Sequence, residues 1–196
     1  MRKRNRKVLR AVLGFSLIVL GMGFPSLAAA QEFSADMVNR IGNQTTQAKI
    51  YAAQDKIRMD MKEGAMIIRM DKGVSWMLMP SEKMYMENPI DMSRVPKASK
   101  GFKDEIERTS LGVETIDGKQ AEKFKVTYTE NGKPMSVYQW IVNQEIPVKV
   151  EAVDGSFSME YKNVSLGAQP DDLFEVPSGY TKMSMPSLGD MGLGGF

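Results

Sequence analysis

The stretch Lys56-Ile57-Arg58-Met59-Asp60-Met61-Lys62-Glu63-Gly64-Ala65-Met66-Ile67-Ile68-Arg69-Met70-Asp71-Lys72-Gly73-Val74-Ser75-Trp76-Met77-Leu78-Met79 decides the fold class. Ile57, Met59 and Met61 alternate with Arg58, Asp60 and Lys62. That period of two turns one face of a strand inward and the other toward water. Glu63-Gly64 turns the chain into Ala65 to Asp71, and Lys72-Gly73 leads on to Val74 to Met79. Connections this short join antiparallel neighbours.

The rhythm extends in both directions. Upstream, Phe33, Ala35 and Met37 share one side of a run, and Thr46, Ala48, Ile50 and Ala52 share one side of the next. Pro80-Ser81-Glu82 separates Met79 from Lys83-Met84-Tyr85-Met86-Glu87. Downstream, Ile116-Asp117-Gly118-Lys119 joins Glu105–Thr115 to Gln120–Glu130, and Asn131-Gly132 and Asp154-Gly155 mark two further hairpins. Only Asn88 to Lys103, with Pro89 and Pro96, breaks the pattern and reads as a loop with at most one short helix. The expectation is an all-β chain with minor α: about ten or eleven strands in an antiparallel meander that closes or curls into a barrel.

The first thirty residues carry a different message. Arg2, Lys3, Arg4, Arg6, Lys7 and Arg10 precede an apolar run from Ala11 to Phe24, and Ala28 and Ala30 supply an A-x-A cleavage pattern. The run falls short of the roughly 20 residues that span a bilayer. Residues 1–30 thus read as a signal peptide, 31–182 as the folded domain and 183–196 as a flexible Met- and Gly-rich tail. The expected mature protein is periplasmic, monomeric and not lipid-anchored, since the chain has no Cys. Cleavage leaves 20 bases against 24 acids, a net charge of −4, so the basic character belongs to the export signal and nucleic acid is an unsuitable partner. The absence of His removes the commonest general base and metal ligand. It rules out Ser-His-Asp and Cys-His sites.

Three segments together resemble the LolA/LolB-type lipoprotein-carrier superfamily, in its exported, lipoprotein-sorting-protein-like branch. They are Lys56 to Met61, Ile68 to Pro80, with Trp76 and a closing Pro, and Pro170-Asp171-Asp172-Leu173-Phe174-Glu175-Val176-Pro177-Ser178-Gly179-Tyr180. The resemblance spans roughly Phe33 to Lys182. It implies a half-open, curved antiparallel sheet whose concave apolar face, under a lid, holds acyl chains of a lipid or lipoprotein, with envelope membrane proteins as further partners. Two features depart from the carriers: no amphipathic helix precedes the first strand, and Gln54 stands near a position where they place an Arg.

The residues expected to line the concave face are Ile57, Met59, Met61, Met66, Ile68, Met70, Val74, Trp76 and Leu78. Ile90, Met92, Val95 and Phe102 are expected in the lid. Methionine, 17 in the chain, is unbranched and polarisable and suits a lining for flexible chains. The same residues serve equally as ordinary barrel core, which gives an alternative: a structural or sensory envelope module with a self-filled interior that binds a protein partner. Paired thioethers, with Met183 and Met185 on the tail, leave Cu(I) as a third reading. Trp76, Tyr85, Trp140 and Tyr161 read as sheet packing or as a ligand wall. Asp171-Asp172, and Asp36 with Asp60, read as solvated or capping carboxylates before glycosidase pairs. The chain is expected to be no enzyme and to need no cofactor or metal. N-terminal sequencing of the exported protein should return a chain beginning at Gln31; a product that keeps Met1 would contradict the signal-peptide reading.

Overall fold

The computed structural model describes residues 32–91, 102, 104–130, 132–143 and 146–183. The expected signal peptide, most of the tail, and Met92 and Val95 lie outside those residues. Among the described residues twelve strands form: β1 Phe33–Ile41, β2 Gln44–Ala53, β3 Lys56–Met61, β4 Gly64–Arg69, β5 Val74–Met79 and β6 Met84–Pro89. Then come β7 Glu105–Ile116, β8 Lys119–Glu130, β9 Lys133–Val142, β10 Ile146–Ala152, β11 Phe157–Leu166 and β12 Thr181–Lys182. All belong to one sheet, in the order β12-β6-β5-β4-β3-β2-β1-β11-β10-β9-β8-β7, curved but not closed into a barrel. The all-β class holds. The two-residue β12 takes the count past the expected ten or eleven.

From β1, in the middle of the sheet, the chain meanders outward to β6, which lies next to the edge strand β12. It then crosses to the opposite edge, β7, and meanders back until β11 pairs with β1, from Phe33↔Leu166 to Ile41↔Phe157. Two-residue loops set most registers. Asp117 and Gly118 both have positive φ (48° and 73°), as a primed hairpin turn requires, and join Ile116 to its partner Lys119. Gly64 serves packing instead, because a Cβ there would stand 2.5 Å from the Leu78 carbonyl oxygen.

The two faces differ in chemistry. One carries Phe33, Ala35 and Met37 of β1, Ala48 and Ile50 of β2, Met59 of β3 and Tyr161 of β11, all buried together. Val126, Val137 and Val150 of β8 to β10 continue the same face. The other face carries ion pairs: Lys49–Asp36, Arg58–Asp60, Lys149–Glu151 and Lys162–Glu160. A curved sheet with one apolar and one charged face buries the apolar side within its own curl. We call these the inner and outer faces.

The outer face has an apolar patch of its own. Ala65, Ile67, Trp76 and Leu78 are buried there beneath Phe174, which is fully buried. Phe174 ends a 3-10 turn, Asp171–Phe174, within the segment that crosses from β11 to β12. Burying such a ring is worth about 1.5–3 kcal/mol. Arg69, 5% exposed, fastens the segment. Its guanidinium donates to the Phe174 carbonyl at 3.2 Å, to both Asp71 carboxylate oxygens at 2.8 and 2.6 Å, and to Glu175. Arg58 donates to the Leu173 carbonyl at 2.9 Å, and Lys56 to Asp171 at 2.6 Å.

These bonds make the clasp sensitive to acid. The hydrogen bond from Arg69 holds the Asp71 carboxyl below the usual carboxylate range, and the bond from Lys56 does the same for Asp171. A depressed folded-state value contributes stability above the unfolded value of about 4, and that stability is lost as pH falls through the folded value. Urea denaturation from pH 7 to pH 2 should therefore show Asp71→Asn less stable than wild type at neutral pH. The two curves should converge at the acid end of the range, once pH has fallen through the lowered folded value, since a protonated Asp71 resembles the amide.

Candidate functional site

Register decides which residues share the inner face. Met59 of β3 pairs with Met66 of β4, Met66 with Met77 of β5, and Met77 with Met86 of β6. Ala35 and Ile50 extend this row across β1 and β2. Four methionines thus stand side by side across four adjacent strands. Met59 and Met86 are buried, while Met66 and Met77 are half-buried. Ile57 pairs with Ile68 in the row above, both half-buried, and Met79 pairs with Met84 on the far side. Met61 is also half-buried on this face.

The expected lining is corrected in two places. Val74, Trp76 and Leu78 pair with Arg69, Ile67 and Ala65, which puts them on the outer face beneath Phe174. The loop from Met70 to Gly73 causes this. It pairs residues whose numbers sum to an odd value (Arg69 with Val74), so even positions of β4 share a face with odd positions of β5. The inner residues of β5 are accordingly Ser75, Met77 and Met79. Met70 lies in the 3-10 turn Met70–Lys72 and on neither strand face. Ile57, Met59, Met61, Met66 and Ile68 do share the inner face.

Of the expected lid, Ile90 is half-buried just beyond β6, and its N–H donates to the Gly73 carbonyl at 2.9 Å. Phe102 is 8% exposed and stacks on Tyr128, with ring centroids 4.6 Å apart and planes 15° from parallel. Since Tyr128 belongs to the inner face, the segment before β7 lays one aromatic ring over that face.

Beside that ring lies a polar group that the sequence pattern did not reveal. The Phe102 N–H donates to Glu105 Oε2 at 3.1 Å. Arg108 grips both Glu105 oxygens at 2.9 Å and donates through Nη1 to Gln139 Oε1 at 2.8 Å. Burial pushes the Glu105 carboxyl up, but the bonds from Arg108 and the Phe102 N–H outweigh it and the net direction is downward. Gln139 is fully buried, and among the described residues its Nε2 has no partner. Asn39 Oδ1, an acceptor on β1, is likewise unpartnered. Both stand on one inner-face row, Phe124–Gln139–Val150–Met159–Asn39. A glutamine on a strand gives no signal until the register is known.

The aromatic residues divide between the faces. Trp76 and Tyr85 belong to the outer patch. Trp140 is also on the outer face, its Nε1 donating to Glu114 at 2.8 Å and Lys123 and Lys149 lying over its ring at 4.9 and 4.5 Å. Tyr161 is buried on the inner face, edge-on to Phe33, and burial raises its hydroxyl above the ordinary range. The acids considered for catalysis hold bases: Asp171 pairs with Lys56, Asp36 with Lys49 and Asp60 with Arg58. Among the described residues no group of three or more acids forms a metal cluster, and no helix is long and apolar enough to cross a membrane.

Residues 28–146 match the family described as Domain of unknown function (DUF4412). The chain belongs to this family. No curated protein matches it. Among solved structures it is similar to MucB, with a TM-score of 0.55 and 11% identity over 81% of this chain and 60% of that one. The Pseudomonas aeruginosa MucA/MucB complex gives 0.52 and 12% over 76% and 56%. This DUF4412 chain therefore spans about 60% of the MucB chain, and at such identity the likeness is one of fold. An outer membrane lipoprotein-sorting protein domain from Vibrio parahaemolyticus is also a neighbour, at 11% identity, with a TM-score of 0.32 that is too low to establish a common fold.

The inner face yields a stability contrast. Met59→Ala should cost about 2–5 kcal/mol in chemical denaturation, because the side chain is 3% exposed. Met66→Ala, half-buried beside it, should cost less than about half of that.

Proposed function

We propose that this protein is a non-enzymatic, exported binder of acyl chains, which it holds on its inner face in the bacterial envelope. The observation that carries this is the row Met59–Met66–Met77–Met86, whose central members are only half-buried. Unbranched, polarisable side chains on a curved face adapt to flexible hydrocarbon. Each buried methylene contributes about 0.8 kcal/mol, so chains of about 14 to 18 carbons bind without polar recognition. The basic and apolar N-terminus with Ala28-x-Ala30 supports export to the periplasm. The loop expected over Asn88 to Lys103 is shortened at its start, since Asn88 and Pro89 belong to β6, and in this reading Phe102, stacked on Tyr128, covers part of the inner face. Residues 31–182 form the working domain.

A second reading has its own support. β7 is a sheet edge of 12 residues, and Ile106, Leu111 and Val113 on it are 63%, 49% and 62% exposed. Open edges accept an extended strand from another chain. The similar protein MucB has been solved in complex with MucA. In this reading the interior is self-filled and a protein partner docks on the outside.

Mass spectrometry of lipids that co-purify with the mature chain, together with titration of a fluorescent fatty-acid probe, separates the two. Met66→Asp and Met77→Asp place a charge on the half-buried inner face and should weaken the probe at least about tenfold, by the cost of burying a carboxylate beside hydrocarbon. Val113→Asp on the β7 edge should leave it unchanged. Probe affinity that survives both inner-face substitutions would exclude a lipid site on this face.

A further inference from the structure

Gln139 is a place where the inner face is chemically incomplete. The side chain is fully buried on β9, between Phe124 of β8 and Val150 of β10. Its orientation is fixed, because Oε1 accepts from Arg108 Nη1 at 2.8 Å. Turning the amide over would set its NH₂ against a guanidinium that only donates. Nε2 is therefore the end of the amide turned away from Arg108; it is itself buried, and among the described residues it has no acceptor. A buried donor without an acceptor is unfavourable, so such groups are rare and call for a physical reason.

The surroundings define what acceptor would suit it. Val126, Val137 and Val150 nearby are buried and apolar. Arg108, the neighbouring cation, already has both carboxylate oxygens of Glu105. It also lies over the Phe124 ring at 5.1 Å. The group as a whole is thus neutral and offers a single uncharged N–H. A free carboxylate entering this apolar wall would be buried without a counter-charge, which is expensive. A neutral carbonyl oxygen at the head of a hydrocarbon chain meets both demands: the oxygen takes the Nε2 hydrogen, and the chain lies along the apolar rows.

We infer that Gln139 Nε2 is the hydrogen-bond anchor for the carbonyl of an esterified or amidated acyl chain, and that the inner face selects such neutral acyl groups over free fatty-acid anions. The inference rests on the acyl-binding reading of that face and adds the ligand class to it. Arg108 and Glu105 are positioning residues: they hold Oε1 and so aim the amide.

The test uses the mature chain and three probes: cis-parinaric acid methyl ester, cis-parinarate at pH 8, and diphenylhexatriene, which has no carbonyl. Gln139→Met keeps the length of the side chain and removes the donor. Wild type should bind the ester more tightly than the anion. Gln139→Met should weaken the ester about 3- to 10-fold, the worth of one net hydrogen bond, with diphenylhexatriene within about twofold. Gln139→Glu keeps an oxygen for Arg108 and replaces the donor, so it reads the same loss should the Met variant not fold. Unchanged ester affinity in the variants, with all probes bound, would overturn the anchor and spare the acyl-binding reading. Equal affinity of wild type for ester and anion would overturn the selectivity. Failure of wild type to bind any of the three would overturn the reading and the anchor together.

Discussion

A single layer of strands has two faces and no second layer to hide either of them. In this chain that constraint governs most of the architecture. The inner face, with Phe33, Ala35, Met59, Val126 and Val137, is too apolar to meet water. Curling the sheet on itself removes that face from solvent without a helical layer. The outer face can then stay wet, and its Lys-Asp and Arg-Asp pairs are tolerated because exposed pairs cost little and contribute little. Met66 and Met77, at the centre of their inner-face row, are nevertheless only half-buried.

The outer apolar patch obeys the same constraint by other means. Ala65, Ile67, Trp76 and Leu78 lie on strands that curve away from them, so the sheet cannot cover its own outside. The chain returns over them after β11 and seats Phe174. It then adds β12 beside β6, the one parallel pair among the described residues. Arg69 reaches across this junction. It leaves the strand with its charge buried, and it is satisfied by Asp71, Glu175 and the Phe174 carbonyl together. A buried guanidinium is tolerable only when its donors are met, and here the acids supply the charge and the returning backbone the remaining acceptor.

Much of this was readable in the residues. Alternation in β3 and the Gly-containing turns specified antiparallel strands, and Pro170 to Tyr180, which carries Phe174, stood out as one of the segments behind the resemblance. The faces of β5 were not readable from alternation alone. Val74, Trp76 and Leu78 alternate as cleanly as Ile57, Met59 and Met61. Which set faces inward depends on the pairing across Met70–Gly73, and one residue of slip exchanges the faces. The apolar character of both faces here removed the usual clue, since neither parity of β4 and β5 is polar. Gln139 escaped for a related reason. Its burial comes from neighbours on β8 and β10, which no local window includes.

The pairing of β1 with β11 has a kinetic meaning. Every other antiparallel contact in the sheet joins strands adjacent in sequence and can form as a hairpin. Phe33 must instead find Leu166 across more than a hundred residues, and the entropy of closing so long a loop has to be met before any bond rewards it. The molecule is thus two locally encoded half-sheets, β1–β6 and β7–β11, zipped along one central seam. Folding can proceed in each half alone, with the seam as the slow and decisive event. The covalent link from β6 to β7, that seam, and the stretch after β11 that seats Phe174 on β4 and β5 and pairs β12 with β6 make the halves one body, so a chain divided in the β6–β7 link would still hold together.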